Sequence, residues 1–150
     1  MAQSLTCLNY HLIFSTKNRA AMILPDVQPR LYGYIGGIIK GLHGRLLAAG
    51  GTQDHVHLLA SLAPKHSLSD VLRDVKGGTS KWIHEEFAGM SIFGWQDGYG
   101  AFSVSQSNVP QVREYIQNQE AHHRQMSFQE EFIQFLDRHG VEYDPRYIWT

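Results

Sequence analysis

At 150 residues, with 43% hydrophobic and 18% charged residues, the chain has the length and balance of one globular domain with a single core, residues 1–150. No apolar run approaches the roughly 18 residues of a membrane span, and Asn9, His11 and Lys17 interrupt any signal-peptide-like stretch near the start. A net charge of −1 lacks the strongly basic balance of most nucleic-acid binders. The distribution is less even: residues 1–50 hold Lys17, Arg19, Arg30, Lys40 and Arg45 against Asp26 alone. The one cysteine, Cys7, cannot form an internal disulfide. It reads as a small buried residue in a reducing, cytoplasmic setting.

In chain order, residues 8–14 are β-prone and form a first strand. From about Pro29 to Ala49, Leu31, Ile35, Ile38, Leu42 and Leu46 fall at helical spacing, with Gly50-Gly51 as the stop. Five glycines interrupt this helix, each costing up to ~1 kcal/mol, which close packing on a sheet would offset. Residues 55–62 form a central strand. Ser67 with Asp70 makes a capping box for a helix whose stripe is Leu68, Val71, Leu72, Val75, Trp82 and Ile83; Gly77-Gly78 can loosen or kink it. Residues 90–101 read as a loop or bulged strand, and Phe102-Ser103-Val104-Ser105 as a strand.

Ser107-Asn108 then caps a helix with Pro110 in its first turn, running through Tyr115 to about Gln125. Ser127 and Glu130 start a last helix with Phe128, Phe132, Phe135 and Leu136 on its apolar face, a core or dimer contact, ending at Gly140. The order is β-α-β-α-β-α-α, with room for a further strand near 47–53. This predicts an α+β, ferredoxin-like sandwich: helices on an antiparallel central sheet that carries the His-x-His strand, and a separate helix carrying Tyr115.

His55 and His57 are two apart in an apolar run, so a strand projects both imidazoles from one face. That suits two nitrogen ligands of a metal ion, and equally two hydrogen-bonded packing residues. Tyr115 and Gln119, at i and i+4, share a helix face. A tyrosine can act as a nucleophile and a glutamine can offer a carbonyl oxygen to a metal; a helix–sheet contact and an exposed amide are the plainer alternative.

Together, His55-Val56-His57 and the segment Tyr115-Ile116-Gln117-Asn118-Gln119-Glu120-Ala121-His122-His123 resemble the single-tyrosine HUH transposases of small insertion sequences. Asn9 to Lys17, Trp95 to Ser105, Phe128 to Tyr143 and Trp149 extend the resemblance over nearly the whole chain. It implies a metal-dependent enzyme that cuts and rejoins single-stranded DNA at hairpin-marked ends. His55, His57 and Gln119 would hold Mg²⁺ or Mn²⁺, and Tyr115 would form a 5′-phosphotyrosine. It further implies a homodimer in which the tyrosine helix of one subunit can serve the histidines of either subunit, and an enzyme that uses no nucleotide cofactor, works in a bacterial or archaeal cytoplasm and associates with the nucleoid when on DNA. Candidate phosphate contacts are Lys17, Arg19, Lys40, Arg45, Arg73, Lys76 and Lys81. A replication or conjugation nickase and a non-catalytic hairpin-binding descendant are the alternatives.

Overall fold

The computed structural model describes residues 2–150, and its centre is a four-stranded antiparallel sheet in the order β2-β3-β1-β4. The strands are β1 (Asn9–Ser15), β2 (Arg45–Gly51), β3 (His55–Ser61) and β4 (Gly100–Val104). Helix α1 (Gln28–Gly41) joins β1 to β2, and α2 (Leu68–Glu86) joins β3 to β4. This βαββαβ order is the expected ferredoxin-like sandwich. Three helices follow: α3 (Val109–Gln117), α4 (Gln119–His122) and α5 (Phe128–Arg138).

The two-residue period of the strands sorts side chains between two layers. Leu12, Phe14, Val56, Leu58 and Ala60 face one side and form the main core with Leu31, Ile35 and Ile39 of α1 and Val71, Leu72, Val75 and Ile83 of α2. The other face is covered by the later helices. Val109 and Ile116 of α3 pack on Ala48 and Leu59; Phe128, Phe132 and Leu136 of α5 pack on Ile13 and Phe102. The phenylalanine stripe is therefore core. Covering both faces explains why β1 and β3 are buried along nearly their whole length. Ser67 and Ser127 cap α2 and α5 as expected, accepting the backbone N–H of Asp70 (3.1 Å) and of Glu130 (3.2 Å).

Four expectations need correction. The helix expected to reach Ala49 stops at Gly41, and residues 45–51 are strand β2. His43 adopts φ 64°, and Gly44 follows in a turn where a Cβ would lie 2.7 Å from the Ser61 carbonyl oxygen. The apolar spacing runs on across that turn, which hides it. The helix expected to run to Gln125 is interrupted at Asn118 (φ −103°, ψ 21°) and ends at His122. Its start is a 3₁₀ turn over Gln106–Asn108, and the Asn108 side chain makes no cap bond. Cys7 is exposed rather than buried. Gly77-Gly78, by contrast, leave α2 continuous, and Gly78 lets it approach α1: a Cβ there would lie 3.0 Å from Ile38 Cδ1.

The closest approach is between β2 and α3. A Cβ on Gly50 would lie 2.0 Å from the Ile116 carbonyl oxygen, so only glycine lets the helix rest on the strand. Gly50→Ala is expected to cost about 3 kcal/mol in urea unfolding. Gly37→Ala, at an exposed helical position with nothing within 4 Å of the new methyl group, is expected to add up to about 1 kcal/mol.

Candidate active site

His55 and His57 leave β3 on the face covered by α3, α4 and α5, and both are fully buried. Each has its Nδ1 engaged. His55 Nδ1 lies 2.7 Å from Asp54 Oδ1 and 3.1 Å from Thr52 Oγ1. His57 Nδ1 lies 2.7 Å from Nε2 of His11, which projects from β1 on the same face. Both Nε2 atoms are thereby turned inward, an arrangement that suits metal-binding imidazoles.

The helices bring further donors to these two nitrogens. Gln119, at the start of α4, is buried and places Oε1 3.2 Å from His55 Nε2. His123 repeats the strand pattern: Nδ1 is bonded to the Met126 carbonyl oxygen (2.7 Å), and Nε2 lies 2.9 Å from Gln119 Oε1. From α5, Glu131 reaches His57 Nε2 at 2.8 Å and His123 Nε2 at 3.1 Å. One ligand atom from each of His55, His57, His123 and Glu131 falls within 4.8 Å of all the others, a group able to hold a divalent ion. Tyr115 lies beside it, its ring 5.9 Å from that of His57. Its hydroxyl donates to Glu131 Oε2 and lies 3.2 Å from His122 Nε2.

Burial sets the electrostatics. It pushes His57 down to about 4, against the pull of Glu131, so the imidazole is neutral at pH 7. His11 is held well below its ordinary value by burial and by His57. Burial opposes the charge on Glu131, but its bonds to His123 and His57 outweigh this and hold the carboxyl well below the usual range. For Asp54, likewise, burial is outweighed by the bond to His55. Burial and then the Glu131 charge raise Tyr115, which keeps it a phenol. His123 is raised, because its contact with Glu131 exceeds the burial penalty.

Residues 4–119 match the family described as "Transposase IS200 like". The chain belongs to the IS200-like transposases. It is 26% identical over 119 residues to the ISDra2 transposase TnpA of Deinococcus radiodurans, a match covering 75% of this chain and 84% of that one. It is also 26% identical over 116 residues to the transposase for insertion sequence element IS200 of Salmonella typhimurium, covering 73% and 75%. A crystal structure of a candidate transposase from D. radiodurans superposes with a TM-score of 0.63 at 27% identity, covering 79% of this chain and 98% of that chain. A REP-associated tyrosine transposase bound to a REP hairpin shares the fold, with a TM-score of 0.56 at 14% identity, covering 77% and 70%.

In this transposase the expected site residues His55, His57, Gln119 and Tyr115 come together, whereas the basic candidates scatter. Lys17 and Arg19 lie in the turn after β1. Arg19 also lines a groove of about 440 Å³ with Gln28, Asp54, Glu120, His123 and Arg124. Lys40 ends α1, and Arg45 opens β2 opposite Ser61, at the far end of β3 from His55. Arg73, Lys76 and Lys81 ride on α2, across the sheet from the histidines. Arg73 pairs with Asp70 and Asp74, and Lys76 donates to the carbonyl oxygens of Asp97 (3.0 Å) and Gly98 (2.9 Å).

Sequence reasoning missed Glu131, gave His123 no role and overlooked Arg124. Glu131 did leave a signal: three residues after Phe128 and four before Phe135, it places a charge on the buried face of α5. Among the seven tyrosines, burial also raises Tyr32. Absorbance titration of the metal-free protein should therefore show two tyrosines that stay protonated until alkaline unfolding. Tyr115→Phe should leave one; an unchanged count would refute the burial of its hydroxyl proton.

Proposed function

We propose that this transposase cuts and rejoins single-stranded DNA with Tyr115 as nucleophile, and that His55, His57 and Gln119 hold the divalent ion it needs. The observation that carries the reading is the gathering of two oriented Nε2 atoms, an amide oxygen and the Tyr115 hydroxyl around the buried Glu131 carboxylate. Imidazole, amide and carboxylate donors with their outer nitrogens already committed fit a divalent ion, and so many nitrogens favour Mn²⁺ over Mg²⁺. When bound, the ion supplies Lewis acidity to the scissile phosphate.

The remaining chemistry belongs to the chain. The Tyr115 phenol gives its proton to His122 Nε2, 3.2 Å from the hydroxyl, and its oxygen attacks phosphorus. The bond to the 3′ oxygen breaks, and that oxygen leaves as a 3′-OH after taking up a proton. The product is a 5′-phosphotyrosine, which conserves the bond energy, so a second 3′-OH can reverse the step on another strand without ATP. The hairpin seen on the REP-associated neighbour supports hairpin-bearing single strands as substrate. Arg19 and Arg124, which line the groove beside His123, would supply positive charge to phosphates. Among the described residues no helix is long and apolar enough to cross a membrane. Because Tyr115 faces the histidines of its own chain, each subunit of the expected homodimer would carry a complete site.

The test is a protein–DNA adduct that survives denaturation, formed with Mn²⁺ and a single-stranded hairpin from the DNA flanking the gene. Tyr115→Phe should lower its yield at least about 1,000-fold, and His57→Ala at least about 100-fold with hairpin binding retained. Mixing the two variants should not restore it. Cleavage by Tyr115→Phe would sink the tyrosine mechanism, and rescue on mixing would sink the own-chain arrangement.

A further inference from the structure

Glu131 is a carboxylate at 1% exposure whose ion-pair partners are all imidazoles. Among the described residues no lysine or arginine pairs with it, and an anion is costly to bury without a cation. It also comes from α5, which lies beyond residues 4–119 of the family match.

Its two oxygens face opposite ways. Oε1 meets the histidines: 2.8 Å to His57 Nε2, 3.1 Å to His123 Nε2 and 3.8 Å to His55 Nε2. Donor atoms around one ion at about 2.1 Å lie about 3.0–3.4 Å apart, so Oε1 stands where a ligand oxygen would. Oε2 takes the Tyr115 hydroxyl proton in a hydrogen bond and lies 3.3 Å from Gln119 Nε2. A phosphodiester under attack makes the same two-sided demand, with one oxygen toward the ion-binding nitrogens and its phosphorus toward the phenol. The carboxylate and the phosphate cannot share that place. Nor can a phosphate reach His55 and His57, both at 0% exposure, while α5 covers them.

We propose that Glu131 is an internal stand-in for the scissile phosphate: in the DNA-free protein it joins His55, His57, Gln119 and His123 around the ion, and DNA must displace it to reach Tyr115. This rests on the assignment of Tyr115, His55 and His57 made above. The first turns of α5 are the part that has to lift, about the turn between His123 and Ser127, while Phe132 and Leu136 keep its later turns on Ile13 and Phe102. The site is thereby closed until substrate arrives, and the half-buried nucleophile is held on Glu131 until then.

Three measurements on the full chain test this. Without DNA, Glu131→Gln should bind Mn²⁺ at least about tenfold more weakly, read from the electron paramagnetic resonance of free Mn²⁺. With Mn²⁺ raised until both proteins are saturated, it should bind the flanking hairpin DNA more tightly than the parent. In the unmutated protein, amide exchange over residues 128–132, the first turn of α5, should slow with Mn²⁺ alone and speed up when hairpin DNA is added. Unchanged Mn²⁺ affinity in Glu131→Gln, hairpin affinity in that variant no higher than the parent's, or first-turn amides of α5 still protected in the DNA complex would each overturn the proposal. His57→Ala separates this from failure of the parent reading. If that variant binds Mn²⁺ like the unmutated chain, the ion site itself is wrong; if it loses Mn²⁺ while Glu131→Gln does not, only the role of Glu131 fails.

Discussion

Everything in the site depends on how the two histidine rings of β3 are held. A ring on a strand can present either nitrogen, and the bond made by the other nitrogen decides which. Here Asp54 binds Nδ1 of one ring and His11 binds Nδ1 of the other. The next strand and the preceding turn therefore decide the chemistry of β3. His123, on a different element, repeats the arrangement with a backbone carbonyl as its anchor. Three imidazoles fixed by three different kinds of partner end with Nε2 pointing toward one small volume.

That volume lies between two layers with different duties. The sheet face toward α1 and α2 is a plain apolar core and supplies rigidity. The opposite face mixes apolar contacts under α3 and α5 with a polar strip between them. Placing polar groups inside a covered layer is costly unless each is paired, and here almost every one is paired to another member of the strip. The outcome is a connected network in which a tyrosine, two carboxylates, an amide and several imidazoles fix one another's protonation. Neutral His57 and protonated Tyr115 are properties of this network rather than of either residue alone.

The fold was legible from the sequence wherever one physical signal dominated. The β1 and β3 runs, the Ser67 and Ser127 caps and the phenylalanine stripe of α5 all carried such a signal, and the sandwich follows from them. Strand β2 was hidden because Leu42 and Leu46 continue the spacing of α1 while the break rests on the backbone at His43 and Gly44. The interruption at Asn118 is equally silent, since nothing in Gln117-Asn118-Gln119 forbids helix. In the site, His55, His57, Tyr115 and Gln119 were readable through spacing and family resemblance. Glu131 was masked by a reading of α5 as an apolar helix. The basic residues were unreadable in another way: charge counts say how many there are but not which side of the sheet they occupy.

The contact between Gly50 and Ile116 has a consequence for how this protein can change over time. It joins main chain to main chain, with no side chain between them. Side-chain contacts shift whenever a residue is exchanged, because rotamers readjust, but two peptide groups in contact have nothing to readjust. The height of Tyr115 above the sheet is thus insulated from drift in the residues around it. The outer surface of α3 can diversify freely, as partners or target sequences demand, while the reach of the nucleophile stays constant. The tolerance ends at residue 50 itself, where a single methyl group would lift the helix.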